Sequence, residues 1–148
     1  MILVTTAGKV GAHAARFLAA AGHPVRLLTR HPSVHQDLAA VGVELLDGDL
    51  DRADSLTGAV TGVDSIILVT PAMPAQEMAV IEAAGRAQVG HVTKITTDSA
   101  PDSPIGRRRD HYRVERGDAS RLAKRSIAPY IRITAPVRAV HRESEHRT

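Results

Sequence analysis

Five short aliphatic runs alternate with helix-compatible segments, and that alternation leaves this chain few folds to choose from. The runs are ILVT at 2–5, PVRLLT at 24–29, VELL at 43–46, VDSIILVT at 63–70 and HVTKIT at 91–96. Between them lie a helix over Val10–Ala21 closed by Gly22, and a polar connection with a short helix over His31–Ala40. A third helix starts from Asp51 as N-cap and runs to Val60, and a fourth spans Ala75–Ala87 before Gly90 stops it. Strands alternating with helices at this spacing require right-handed crossovers, and therefore a parallel sheet covered on both faces. The expected fold is a doubly wound α/β domain of strand order 3-2-1-4-5. A loop, DSAPDSPIG, and a strongly polar helix over 107–124 follow, and IAPYIRIT at 127–134 is a candidate sixth strand.

Charge is divided along the chain. Residues 1–104 carry seven Lys/Arg and eleven Asp/Glu, a net −4; residues 105–148 carry twelve and five, a net +7. Phe17, Tyr112 and Tyr130 are the only aromatic residues, so the basic end lacks the interleaved aromatics of a nucleic-acid surface, and nucleic acid is not expected as a partner. The chain contains no cysteine, which removes disulfides, thiolate catalysis and cysteine-based metal sites. No apolar run is long enough to span a bilayer and no basic leader precedes ILVT, so a cytoplasmic protein that avoids membranes is expected.

The stretch with most chemistry is VTTAGKVG, between the first strand and first helix. Read from its right end, Thr5-x-x-Gly8-x-x-Gly11 fits a G-x-x-G-x-x-G dinucleotide loop with Thr5 in place of the first glycine. In such loops the first glycine makes the tight turn, the second lets backbone approach pyrophosphate, and the third lets helix and strand pack closely. Gly8 and Gly11 keep the last two tasks, the helix N-terminus offers unpaired N–H groups to an anion, and Thr5 must turn the chain another way. Residues 1–136 thus read as one dinucleotide-binding domain, with 137–148 as a basic tail expected to be disordered.

ILVTTAGKVG, RLLTRHP, VELLDGDLD, VDSIILVTPA and HVTKITT, in this order and spacing, resemble the NmrA-like family of atypical short-chain dehydrogenases/reductases, with its NAD(P)H:quinone oxidoreductase-like members and its redox-sensing regulators. The likeness is fainter through DHYRVERG and LAKRSIAPYIRITAP, and the chain stops short of the later segments that build the family's substrate pocket. The resemblance implies a Rossmann-like fold and cofactor contacts from Thr5, Ala7, Gly8, Lys9, Val10 and Gly11. It also implies Asp49 and Leu50 beside the adenine, Thr70, Pro71 and Ala72 beside the ribose and nicotinamide, and Lys94 and Thr96 facing the nicotinamide.

The end of the second strand selects the cofactor. An NAD site wants an acid there to accept from the ribose 2′-hydroxyl; this chain has Thr29-Arg30-His31. Arg30 can pair with a 2′-phosphate and Lys9 can add a second cation, so NADP(H) is expected ahead of NAD(H).

Lys94 and Tyr112 are the candidates for a catalytic role. Tyr112 and Arg116 stand four apart in HYRVER, where classical short-chain dehydrogenases pair Tyr with Lys to lower the phenol's pKa. The arginine puts carbonyl reduction in doubt without touching hydride transfer to a quinone. His31 and His35 are also four apart, but no ligand-like partner follows them, so no metal is expected. Three functions stay open: an NADPH-dependent reductase of a small quinone-like acceptor, a dinucleotide sensor acting through a regulatory protein partner or a homodimer, and a truncated relative that keeps only cofactor binding.

Overall fold

The computed structural model describes residues 1–70, 74–96, 101–106, 108–110, 112–113 and 131–134, with the backbone alone for Thr96 and 131–134. Its elements are β1 (Ile2–Val4), α1 (Lys9–Ala20), β2 (Val25–Thr29), a 3-10 turn (Pro32–His35), α2 (Gln36–Ala40), β3 (Glu44–Asp47), α3 (Ala53–Val60), β4 (Ser65–Leu68), α4 (Pro74–Arg86), β5 (His91–Thr96) and β6 (Ile131–Thr134). The strands form one sheet in the order β3-β2-β1-β4-β5-β6, every pair parallel. The expected order holds, and the candidate sixth strand joins the β5 edge. β1 lies at the centre, with Val4 opposite Leu27 of β2 on one side and Ile67 of β4 on the other.

Period-two alternation divides the core between the two faces. Leu3, Leu28, Ile66, Leu68 and Val92 face α3 and α4, whose Leu56, Ala59, Val80, Ile81 and Ala84 complete that cluster. Val4, Val25 and Leu27 face the other way, against Ala15 of α1 and Leu38 of α2. The central strands β1 and β4, covered on both faces, are apolar at every position but Ser65.

Two helix boundaries depart from expectation. Asp51 does not cap α3: Arg52 holds that position, and its side chain caps none of the first-turn N–H groups. Asp49 Oδ1 instead accepts from the Asp51 N–H at 3.0 Å, and the Asp51 carboxylate accepts from Gln76 Nε2 of α4 at 3.0 Å. The two acids order the loop after β3 and tie it to α4. Arg52 donates to Asp54 at 2.6 Å, and that hydrogen bond holds the Asp54 carboxyl below its ordinary range. Gly90 does not end α4. Gln88 does, in the left-handed region at φ 56°, while the Val89 N–H reaches back to Ala84 O at 3.0 Å. Gly22, at φ 84°, closes α1 as expected.

Of the polar helix expected over 107–124, the described residues between 106 and 113 are helical; the rest, Arg116 included, lies outside the described residues, as do 135–148. Among the described residues no helix is long and apolar enough to cross a membrane.

Glycines 11 and 58 should respond oppositely to alanine. A Cβ on Gly11 would stand 1.8 Å from Thr6 O, whereas one on Gly58, inside α3, meets nothing within 4 Å. Gly11→Ala is expected to cost about 3 kcal/mol or more. Gly58→Ala should add about 0.5–1 kcal/mol by removing backbone freedom from the unfolded chain. Urea denaturation reads both, as midpoint shifts at constant slope.

Candidate functional site

The strands of the parallel sheet all end on the same side, and there the loops after β1 to β4 part around an open groove of about 650 Å³. Its floor is the β1–α1 loop, residues 5–10. One wall is the end of β2 with the 3-10 turn, through Thr29, Arg30, His31 and His35. The other is built from Gly48–Asp51 after β3, the end of β4 at Val69 and Thr70, and Gln76 of α4.

The missing glycine is replaced by a side-chain stitch. Thr5 Oγ1 donates to Val69 O at 2.8 Å and accepts from the Val69 N–H at 2.9 Å, so one hydroxyl takes the place of a rung of the ladder where β1 and β4 separate. Thr6 Oγ1 donates to the same carbonyl at 3.0 Å. Thr5 is almost fully buried, and no residue of the loop has a positive φ. The turn is held by hydroxyls where a glycine would have relied on its conformational freedom.

Gly8 and Gly11 divide their tasks. Gly11 is a packing residue, buried where a Cβ would strike Thr6 O, and it does not line the groove. Gly8 is the N-cap of α1, makes no side-chain cap and leaves open space where a Cβ would be. The first intrahelical bond runs from Ala12 N to Gly8 O, which leaves the N–H groups of Lys9, Val10 and Gly11 without helical acceptors. With no acid in the first turn, the positive end of α1 faces the groove uncompensated. This cradle fits a pyrophosphate.

Arg30 and Lys9 are exposed and line the groove, and neither has an acidic partner among the described residues. His31 and His35 stand beside Arg30 on the same wall. Among the described residues no three His, Cys, Asp or Glu are placed to hold a metal ion. On the opposite wall Gly48 is closely packed: a Cβ there would lie 2.7 Å from Leu28 Cδ1 and 3.0 Å from Ser55 Cβ, so those side chains would have to shift. Its tight fit sets Asp49 and Leu50 against the end of β2.

The structure thus brings together Thr5, Ala7, Gly8, Lys9, Val10, Arg30, Asp49, Leu50 and Thr70 around one groove. Lys94 is placed elsewhere. It is fully buried on the α4 face of β5, with Nζ 3.0 Å from Glu77 Oε2, and Glu77 is 1% exposed. That contact is an ion pair by distance but poorly directed as a hydrogen bond, and Nζ makes no hydrogen bond among the described residues. Glu77 Oε1 accepts from Thr70 Oγ1 at 2.7 Å, so Thr70 connects the pair to the groove. Lys94 therefore does not face the groove as the sequence reading had it, because its neighbour across the α4 interface is an acid. Tyr112 is half-buried in the helical turn at 112–113 and is not part of the groove wall. Pro71 and Ala72 lie outside the described residues, and only the backbone of Thr96, at the end of β5, is described.

Sequence reasoning missed Thr6, His35, Gln76 and, above all, Glu77. The i, i+4 spacing of His31 and His35 was visible, but it was weighed only as a metal pair and set aside. For Glu77 the available signal was an acid at a position that α4 turns toward the sheet.

The NmrA-like family matches residues 1–97. The chain is 36% identical over 109 residues to an NAD(P)H azoreductase of Xenophilus azovorans, covering 71% of this chain and 38% of that protein. It is 42% identical over 99 residues to a (4-alkanoyl-5-oxo-2,5-dihydrofuran-3-yl)methyl phosphate reductase of Streptomyces griseus, covering 65% and 34%. An NADPH-dependent quinone oxidoreductase of Escherichia coli, solved with NADPH, superimposes with a TM-score of 0.74 at 27% identity, over 90% of this chain and 48% of that one. The chain thus spans less than half the length of each.

The Glu77–Lys94 pair makes a stability prediction. Lys94→Met strands a buried carboxylate and should cost about 3–5 kcal/mol, whereas Lys94→Met with Glu77→Leu should be close to neutral. Thermal or urea unfolding of both variants measures the difference, and equal losses would show that the charges are not the reason.

Proposed function

This chain belongs to the NmrA-like family, and we propose that its groove holds NADPH and serves reduction of a quinone-like acceptor. The observation that carries the reading is the pairing of an uncompensated α1 N-terminus with Arg30 at the end of β2, where no acid stands. The N–H groups at the start of α1 and the open space at Gly8 suit the pyrophosphate. Arg30, with Lys9 nearby, suits the ribose 2′-phosphate, and Asp49 and Leu50 suit the adenosine side. Thr70, at the end of β4, suits the nicotinamide nucleoside, in keeping with ligand binding at the carboxyl ends of such strands. Bound there, the cofactor supplies a hydride. The reductases among the relatives support the chemistry, and the quinone oxidoreductase solved with NADPH supports the cofactor.

The acceptor is proposed to be quinone-like because such a compound, once reduced, takes protons from water and needs no tyrosine–lysine pair. Among the described residues the groove wall supplies none, since Lys94 is paired with Glu77 away from it. That same observation favours a second reading, a dinucleotide sensor that binds without turnover. Because this chain spans less than half the length of those reductases, the acceptor is part of the proposal and rests on the chemistry alone. A cytoplasmic location accords with a pool of reduced dinucleotide. NADPH consumption with a panel of quinones, beside equilibrium NADPH binding, separates the readings: turnover supports the reductase, and binding without turnover supports the sensor.

Cofactor preference rests on Arg30. A charge-assisted contact to the 2′-phosphate is worth about 1.5–3 kcal/mol, so NADPH should bind roughly tenfold to a hundredfold more tightly than NADH. Arg30→Asp should reverse that order by removing the cation and adding an acceptor for a ribose hydroxyl. Lys9→Ala should weaken NADPH more mildly, since an ammonium is a point charge with little directional geometry. Titration calorimetry with both cofactors decides, and equal wild-type affinities would make Arg30 a surface residue only.

A further inference from the structure

The buried Glu77–Lys94 pair lies outside the groove, yet it is joined to it through one hydroxyl. Glu77 is 1% exposed, Lys94 is fully buried, and Thr70 Oγ1 lies 2.7 Å from Glu77 Oε1 while Thr70 lines the groove. A carboxylate accepts hydrogen bonds and cannot donate them, so the single proton of the Thr70 hydroxyl is committed to Glu77. Lys94 sits 3.0 Å from the other carboxylate oxygen and keeps an acceptor opposite Thr70. What Thr70 presents to the groove is then its lone pairs. Thr6, the neighbouring hydroxyl of the floor, likewise donates to Val69 O, so its proton too is directed inward.

We infer that Glu77 and Lys94 are positioning residues that fix Thr70 as a hydrogen-bond acceptor toward the groove, so that this end selects a ligand group bearing N–H or O–H. The groove would therefore have two polarities: donors and cations at the α1 and Arg30 end, acceptors at the β4 end. On the NADPH reading, which this inference rests on, the donating group is the nicotinamide carboxamide or a hydroxyl of its ribose. Both carry the required proton, and both stand at the far end of the dinucleotide from the 2′-phosphate.

The test compares two ligands across a double-mutant cycle. NADPH reaches both ends of the groove, whereas 2′,5′-ADP carries only the phosphate-bearing end. Wild-type binding of 2′,5′-ADP checks the dinucleotide reading by itself; its absence would count against that reading rather than against the role of the pair. Thr70→Val should weaken NADPH about tenfold, as expected for losing an acceptor, and leave 2′,5′-ADP unchanged, while Thr70→Ser restores wild-type binding. In the E77Q/K94M background a glutamine can face Thr70 with either its oxygen or its nitrogen, so nothing commits the hydroxyl proton inward. There Thr70→Val should cost about threefold or less, and the shortfall is the coupling between the pair and Thr70. The reduced 3-acetylpyridine analogue of NADPH lacks the amide N–H. If the carboxamide is the donor, the analogue is insensitive to Thr70→Val; if a ribose hydroxyl is the donor, it behaves like NADPH. An equal Thr70→Val penalty in both backgrounds would reduce the pair to scaffolding and overturn the inference. So would equal weakening of NADPH and 2′,5′-ADP, or no effect of Thr70→Val at all.

Discussion

One hydroxyl stands at the point from which the rest of the site is built. β1 and β4 are neighbours at the centre of the sheet, and the groove exists because their chains part beyond Val4 and Leu68. A sheet that opens leaves backbone N–H and C=O groups without partners, and buried orphans of that kind are costly. Thr5 meets both needs of Val69 at once, accepting from its N–H and donating to its carbonyl. The strands can then separate at a fixed place, the β1–α1 loop can climb over the sheet edge, and α1 can begin with its amides directed into the opening.

The site's electrostatics follow from the same arrangement. Because parallel strands all end together, the loops after β1, β2, β3 and β4 meet on one side, and the start of α1 is brought to them. The chain places Arg30 at the end of β2 and leaves the α1 terminus without an acid, while Asp49 and Asp51 spend their hydrogen bonds on ordering the facing loop. Between β5 and α4 the buried ion pair lies behind the Thr70 wall of the groove. Such a pair contributes little net stability over apolar residues of similar size. Its retention in a core is better understood through what it imposes on the hydroxyl above it.

Much of this was legible from the amino-acid order. The sheet was legible because a strand buried on both faces needs an uninterrupted aliphatic run, and VRLL and SIIL can hardly serve otherwise. Arg30 was legible because its place follows from counting to the end of β2. Asp51 was misread because an acid before a helix usually caps it, and local preference could not show Gln76 arriving from α4 to take its carboxylate. The end of α4 was misread for a related reason: Gln88 adopts the left-handed conformation that glycine usually takes, with the Val89 N–H closing the turn.

Lys94 marks the boundary between the two kinds of knowledge most clearly. Its position near the end of β5 follows from sequence, but its expected place in the groove does not hold: the side chain is fully buried outside it. Which face of the strand it occupies, and what it meets there, depends on an acid seventeen residues earlier on a different element. No periodicity within either segment relates the two. By itself the sequence determined the strand order, the glycine loop between β1 and α1 and the cation beyond β2, since each depends on short-range pattern and chain direction. Only the tertiary structure decided that Thr5 would stitch two strands and that Lys94 would be sealed against Glu77. Those outcomes rest on which side chains distant in sequence are pressed together when both faces of the sheet are covered.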